Sequence, residues 1–214
     1  MRMEFTHLLD IVGDEPVFET GLLLAGAVDS KDVRRQLSRW TKAGRLYQLR
    51  RGLYALAPPF QKVKPHPFVV ANRMMRSSYV SLQSALGYYG LIPDVVPVTT
   101  SITTGRPGHW QTPLGVYTFR HIKTGWFVGY QLVDLGGNQQ AFVATPEKAL
   151  LDLVHLQPGG DSAEYLQELR LQSMERLDLE ELQLQAELAS SQKLRRAAAF
   201  VIKLAQAERA CESL

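Results

Sequence analysis

The side chains best suited to chemistry stand close together near the N-terminus. Between Ser30 and Lys64 the chain holds ten Lys or Arg residues and one acid, Asp32. Their spacing matters more than their number. An advance of ~100° per residue on a helix brings Val33, Leu37 and Trp40 onto one apolar stripe. Lys31, Arg34, Arg35, Ser38, Arg39 and Lys42 then fall on the opposite arc, at roughly 100° to 240° from Val33. Such a helix buries one face and offers five cations and a hydroxyl on the other. Arg, Ser and Lys in that pattern suit a polyanion. Arg bonds bidentately to guanine, Ser reaches several bases, and Lys or Arg at the ends grips phosphate. An ordinary solvated helix carries compensating acids at i±4. Here the only acid sits in the first turn, where it serves the helix dipole.

A second basic feature follows. Arg45 to Leu56 reads as two short strands around a turn at Arg50, Arg51 and Gly52, with Gly52 free to take positive φ. Arg50 and Arg51 would stand at the tip, suited to a minor groove or to phosphate. Arg34, Arg35, Ser38 and Arg39 are the expected base readers. Lys31, Lys42, Arg50 and Arg51 are the expected backbone contacts, with Ser30 and Gly52 placing the helix start and the turn. Lys62 and Lys64 either extend this surface or solubilise a linker.

Catalytic patterns are weak by contrast. Neither GxxxxGK[ST] nor GxGxxG occurs. His7, His66, His109, His121 and His155 show no HxxxH or HExxH spacing, so no metal site is expected. Gly105 to Gly108 reads as a turn. Glu147 and Asp152, five apart on one helix, point ~140° from each other, which is poor for paired acid–base work. The single cysteine, Cys211, excludes a disulfide framework within the chain and reads as an inert thiol. The expectation is a non-enzyme without cofactor or metal.

The elements that must position the basic residues are legible from periodicity and breakers. Met3 to Val12 has apolar residues at helical spacing. Asp14, Glu15 and Pro16 end it, and Pro16 is expected to open a second helix that fades near Gly26. Ser30 is the expected N-cap of the third helix, and Gly44 its stop. The hairpin ends at Pro58 and Pro59. Residues 61–67 read as a linker stiffened by Pro65 and Pro67. Helices are then expected over Phe68–Arg76 and Ser81–Tyr89. Strands are expected over Val95–Thr104, Gly115–Ile122, Phe127–Leu135 and Gln140–Ala144. Thr145 caps a helix with Pro146 as its first residue, ending near Leu156. From Asp161 onward two or three helices are expected, broken near Ser173–Asp178 and at Ser190 and Ser191.

The chain has 214 residues and a net charge of +3, unevenly spread. After Gln157, seven basic residues face ten acidic ones. A basic block beside an acidic tail fits one domain meeting a polyanion. No secretory signal is visible at Met1 to Phe5, and no stretch approaches the ~20 apolar residues of a membrane span. These features point to the cytoplasm and away from a membrane. The expected class is α+β. A winged helix-turn-helix over residues 1–60 precedes the linker and a mixed α/β domain over 68–214 with a helical C-terminus.

Three stretches carry a resemblance to a known family. They are Val33–Leu37 through Gly44–Leu46 to Arg51–Leu56, then Tyr79–Pro93, and then Ala144–Leu153. In this order and at these distances they resemble the AbiE-type antitoxins of bacterial type IV toxin–antitoxin systems. The resemblance spans residues 5 to 156. It implies a winged-helix domain that represses its own operon, usually at inverted repeats in double-stranded DNA. It also implies a C-terminal domain that counters a nucleotidyltransferase-like toxin, with no need for a stable complex. Read for packing alone, Leu82, Ala85, Leu86 and Tyr89 form a core stripe, as do Leu150, Leu151, Leu153 and Val154. Two alternatives stand beside the antitoxin. One is a stand-alone winged-helix transcription factor, with ligand sensing as an option for its second domain. The other is an enzyme or a protein-interaction module.

Overall fold

The computed structural model describes residues 3–25 and 29–212, with side chains as far as residue 208. The expectations placed on Gly26 and on the Cys211 side chain lie outside the described residues. The architecture is mixed α+β.

The N-terminal part starts with helix α1 (Phe5–Val12), which buries Leu8 and Val12. Strand β1 (Phe18–Glu19) and a 3-10 turn (Thr20–Leu24) follow. This corrects the second helix expected from Pro16. Val17 and Phe18 are adjacent apolar residues that point to opposite sides: Phe18 enters the N-terminal core, and Val17 the core of the larger sheet. That is the period of a strand. The edge of β3 stabilises it, pairing Phe18 with Tyr54 and Glu19 with Leu53. Helix α2 (Ser30–Lys42) is capped by Asp29, whose carboxylate accepts the Lys31 N–H at 2.9 Å. Ser30 is therefore the first helical residue and not the cap. Asp29 wins because a carboxylate one residue earlier reaches the free N–H and also faces the positive helix end.

Strands β2 (Leu46–Arg50) and β3 (Leu53–Leu56) form the hairpin, and Gly52 takes φ 83° at its turn. The sheet order is β1-β3-β2. Val33, Leu37, Trp40, Leu46 and Leu56 close one core with α1. Leu49, Leu53 and Ala55, on the other side of the hairpin, join the core of the six-stranded sheet. The hairpin is thus buried on both sides.

Residues 57–66 lack regular structure, and Pro67, expected in the linker, already opens helix α3 (Pro67–Met74). The segment is tied down. Gln139 Oε1 accepts the His66 N–H at 2.8 Å, and Gln139 Nε2 donates to the Lys64 carbonyl at 3.1 Å. Beyond α3 come β4 (Ser78–Val80), α4 (Leu82–Tyr88), β5 (Val98–Thr103), β6 (Gly108–Thr112), β7 (Gly115–His121), β8 (Tyr130–Asp134) and β9 (Gln140–Ala144). The order β6-β7-β5-β4-β9-β8 puts the short strand β4 near the middle, antiparallel to β5 and parallel to β9. Neither β4 nor β6 is signalled in the sequence: β4 has only three residues, and β6 starts at a glycine read as part of a turn.

Helix α5 (Pro146–Leu156) packs on this sheet; the Thr145 hydroxyl accepts the Lys148 N–H at 3.3 Å, and Pro146 opens the helix. Helices α6 (Ala163–Glu168), α7 (Leu179–Leu188) and α8 (Gln192–Glu212) complete the described chain. No helix among the described residues is long and apolar enough to cross a membrane.

Candidate nucleic-acid interface

Helix α2 divides as its periodicity dictates. Val33, Gln36, Leu37 and Trp40 are buried; Ser30, Lys31, Arg34, Arg35, Ser38, Arg39 and Lys42 are exposed. The buried stripe fixes the helix from below. Trp40 meets Phe5 of α1 edge-on at 5.4 Å, and Phe5 meets Phe60 at 4.9 Å. The Arg45 guanidinium lies 5.0 Å from the Phe5 ring centre, so this cation is engaged with an aromatic face. The Thr41 hydroxyl donates to the Leu37 carbonyl at 2.9 Å, within the helix.

The exposed face is nearly unpaired. Arg35 bonds Asp32 at 2.6 Å, which holds the Asp32 carboxyl below its ordinary value and raises Arg35. Among the described residues, Lys31, Arg34, Arg39, Lys42 and Arg51 take part in no salt bridge. Unpaired cations on one face keep their full charge for an outside partner, subject only to solvent screening.

The hairpin tip joins this face through one of its two arginines. Arg34 and Arg51 line the same concavity of about 510 Å³, together with Thr20, Leu24, Gly52 and Tyr54. The Gly52 carbonyl accepts the Thr20 N–H at 2.9 Å and the Thr20 hydroxyl at 3.4 Å, so the tip is pinned to the 3-10 turn. Arg50 goes elsewhere. It is half-buried, its Nε is buried without a partner, and its charge acts on Glu19. Lys62 pairs with Asp14 at 3.6 Å, while Lys64 is exposed.

A second polar constellation went unread in the sequence. Lys148 and Asp152 lie one turn apart on α5 with zero side-chain exposure, Nζ to Oδ1 at 2.5 Å. The same Oδ1 accepts the Trp126 indole N–H at 2.9 Å, and Oδ2 accepts Tyr79 and Ser81 hydroxyls at 3.0 and 2.8 Å. Lys148 Nζ also sits 3.7 Å from the Trp126 ring centre. Burial pushes the Asp152 carboxyl up and the Lys148 ammonium down, and their mutual attraction opposes both shifts. Four donors occupy all the lone-pair directions of the carboxylate, which suits the ionised form. Local pattern hid the pair: Lys148, Asp152 and His155, at i, i+4 and i+7, share one arc of α5 that reads as an ordinary solvated face, and Lys148 and Asp152 are buried only by what packs over them. Glu147 serves structure too, accepting the Asp178 N–H at 2.9 Å.

Buried from solvent, this cluster holds β4, α5 and the 3-10 turn Thr124–Trp126 together. It also stands next to Leu82, which takes φ 54° at the start of α4, a conformation costing a non-glycine residue roughly 1–3 kcal/mol. Among the described residues no three His, Cys, Asp or Glu side chains gather as a metal-binding group. Of the two constellations, the face of α2 with Arg51 is the one exposed to solvent. The chain matches no family model and no curated protein.

Proposed function

We propose that the chain binds double-stranded DNA through residues 1–60, folded as a winged helix-turn-helix with α2 as recognition helix and β2–β3 as wing. One observation carries this reading: among the described residues, the exposed Lys31, Arg34, Arg39 and Lys42 of α2 and Arg51 of the hairpin tip form no salt bridge, and Arg34 and Arg51 line one concavity. An α-helix fits the major groove of B-DNA. Arg34, Arg35, Ser38 and Arg39 meet base edges, and Lys31, Lys42 and Arg51 grip phosphate. Arg35 exchanges Asp32 for its DNA partner. Arg50, half-buried beside the tip, contributes less than the exposed Arg51. The rest of the chain, from α3 onward, forms a second unit whose core also takes in Val17, Leu49, Leu53 and Ala55.

Fluorescence anisotropy with the chain's own upstream DNA and a scrambled duplex, at two salt concentrations, tests the reading. Selective, salt-sensitive binding is expected. Arg34→Ala combined with Arg39→Ala is expected to weaken it by about tenfold or more. Equal weak binding to both duplexes refutes the assignment.

The narrower form of the proposal is a repressor of its own operon that also acts as antitoxin to a nucleotidyltransferase-like toxin. The three resembling stretches support it. Rescue of growth when the chain is co-expressed with a neighbouring toxin gene is the expected result. A stand-alone, ligand-sensing regulator draws support from a different feature. A cleft of about 820 Å³ lies between the two parts, lined by Asp14, Glu15, Arg73, Leu132 and Gln139 among others.

A further inference from the structure

Three acids near the N-terminus face three bases that follow the hairpin. Lys62 lies 3.6 Å from Asp14, and Arg73 lies 3.7 Å from Glu15. Both pairs are long and exposed on each side, where screening leaves little net attraction. The third pair differs. Arg76 Nη2 donates to Glu19 Oε2 at 2.6 Å, and the Glu19 side chain is only 31% exposed. Arg76 holds the Glu19 carboxyl below its ordinary value, and Arg50 and Arg73 add to that effect.

The position of Glu19 gives this contact its reach. Glu19 is the second of two residues in β1 and pairs with Leu53 of β3. The next residue, Thr20, holds the Gly52 carbonyl through both its N–H and its hydroxyl. Gly52 follows Arg51 at the tip and takes φ 83°. A continuous path thus runs from Arg76 through Glu19 and Thr20 to the tip that carries Arg51. Beneath it, Val17, Leu49 and Leu53 pack in the same core as Val70 and Met74. The hairpin is braced from the side of the larger sheet.

We infer that Arg76 is a positioning residue for the hairpin tip, setting where Arg51 stands across the concavity from Arg34 and so how well the tip meets a DNA phosphate. The last step rests on the DNA-binding reading; the positioning does not. Removing Arg76 takes away the one side-chain hydrogen bond made to the Glu19 carboxylate among the described residues, so the carboxylate, β1 and Thr20 lose the direction that Arg76 imposes.

Residue-resolved amide hydrogen exchange without DNA tests the positioning. The series is Arg76→Lys, Arg76→Gln and Arg76→Glu, with Arg73→Glu as control. Exchange at the Thr20 amide is expected to quicken in that order, by roughly fivefold or more for Arg76→Glu at low salt. The differences should shrink in high salt, and Leu8 and Val12 amides of α1 should keep their rates. Faster exchange confined to the tip and sensitive to salt supports the inference. An unchanged Thr20, equal acceleration throughout the N-terminal part, or an equal effect of Arg73→Glu overturns it. Operator anisotropy adds the functional arm. Arg51→Ala should cost less affinity in the Arg76→Glu background than in the wild type, because the contact is already misplaced. If the wild type binds no DNA, the DNA reading falls while the exchange data still decide the role of Arg76.

Discussion

Helices α2 and α5 each carry a short acid–base pair one turn apart, and they use it in opposite ways. On α2, Arg35 meets Asp32 at 2.6 Å, with the Arg35 side chain 63% exposed and the Asp32 side chain 14%. On α5, Lys148 meets Asp152 at 2.5 Å and both side chains are wholly buried. The exposed pair gives up little when it opens, because water and salt replace it. Its cation is free to exchange one anion for another. The buried pair has no such exchange. Its charges were taken out of water and are held by Tyr79, Ser81 and Trp126 from elements distant in the chain. Similar lengths thus describe a contact that can trade partners and one that locks a fold.

The largest effect is expected where that lock is opened from one side. Asp152→Ala leaves the Lys148 charge buried without its partner and should cost about 3–5 kcal/mol in denaturant unfolding. Asp32→Ala should cost much less in the same assay. A double change, Lys148→Met with Asp152→Leu, removes the orphaned charge but leaves the Tyr79, Ser81 and Trp126 donors without their acceptor, so it should recover only part of the loss. If Asp152→Ala proves as mild as Asp32→Ala, the contrast between the helices collapses.

Binding comes next in size. Arg34→Ala and Arg39→Ala should each cost about 1–3 kcal/mol of operator affinity with unchanged thermal unfolding. The Lys148 and Asp152 variants should alter binding only in proportion to the fraction unfolded. Trp126→Phe keeps the ring over Lys148 and removes the donor to Asp152 Oδ1; a stability loss of about 1–2 kcal/mol is expected in the same unfolding assay. Smaller still is the effect at the hairpin tip. Arg51→Ala should lower the salt slope of binding by about one, and Arg50→Ala should leave it unchanged.

The smallest effect concerns acid. The Glu19, Asp32 and Asp161 carboxyls are held below their ordinary values of 4.5, 3.8 and 3.8, chiefly by hydrogen bonds from Arg76, Arg35 and Arg196. A carboxyl lowered in the folded state stabilises it above the ordinary value, and that contribution fades as pH falls through the folded one. Thermal midpoints should therefore drop on acidification below about pH 4. Arg196→Gln should lower the midpoint slightly near neutrality, where the contribution is present, and so make the acid drop shallower.

Particular elements show how far local pattern reaches. The two faces of α2, the Thr145–Pro146 start of α5 and the Gly52 turn are all legible in the chain. Each depends on residues within one or two turns of one another. The strand at Phe18 and Glu19 is not, because an apolar pair after Pro16 suits a helix equally well until β3 offers its edge 34 residues later. The three-residue β4 exists only because β5 and β9 flank it. The basic face was readable as a list of residues, but Arg50 and Arg51, adjacent in sequence, part company at the tip.

The sequence by itself determined the mixed α and β content after the first helix, the exposed cations of α2 and the helical C-terminal region, since periodicity, caps and breakers act between near neighbours. Tertiary structure alone decided that Glu19 meets Arg76, that the hairpin is buried on both sides, and that Lys148 and Asp152 are sealed beneath Trp126. Those outcomes depend on partners brought together by folding, and the free energy of a charge depends on whether water or protein surrounds it.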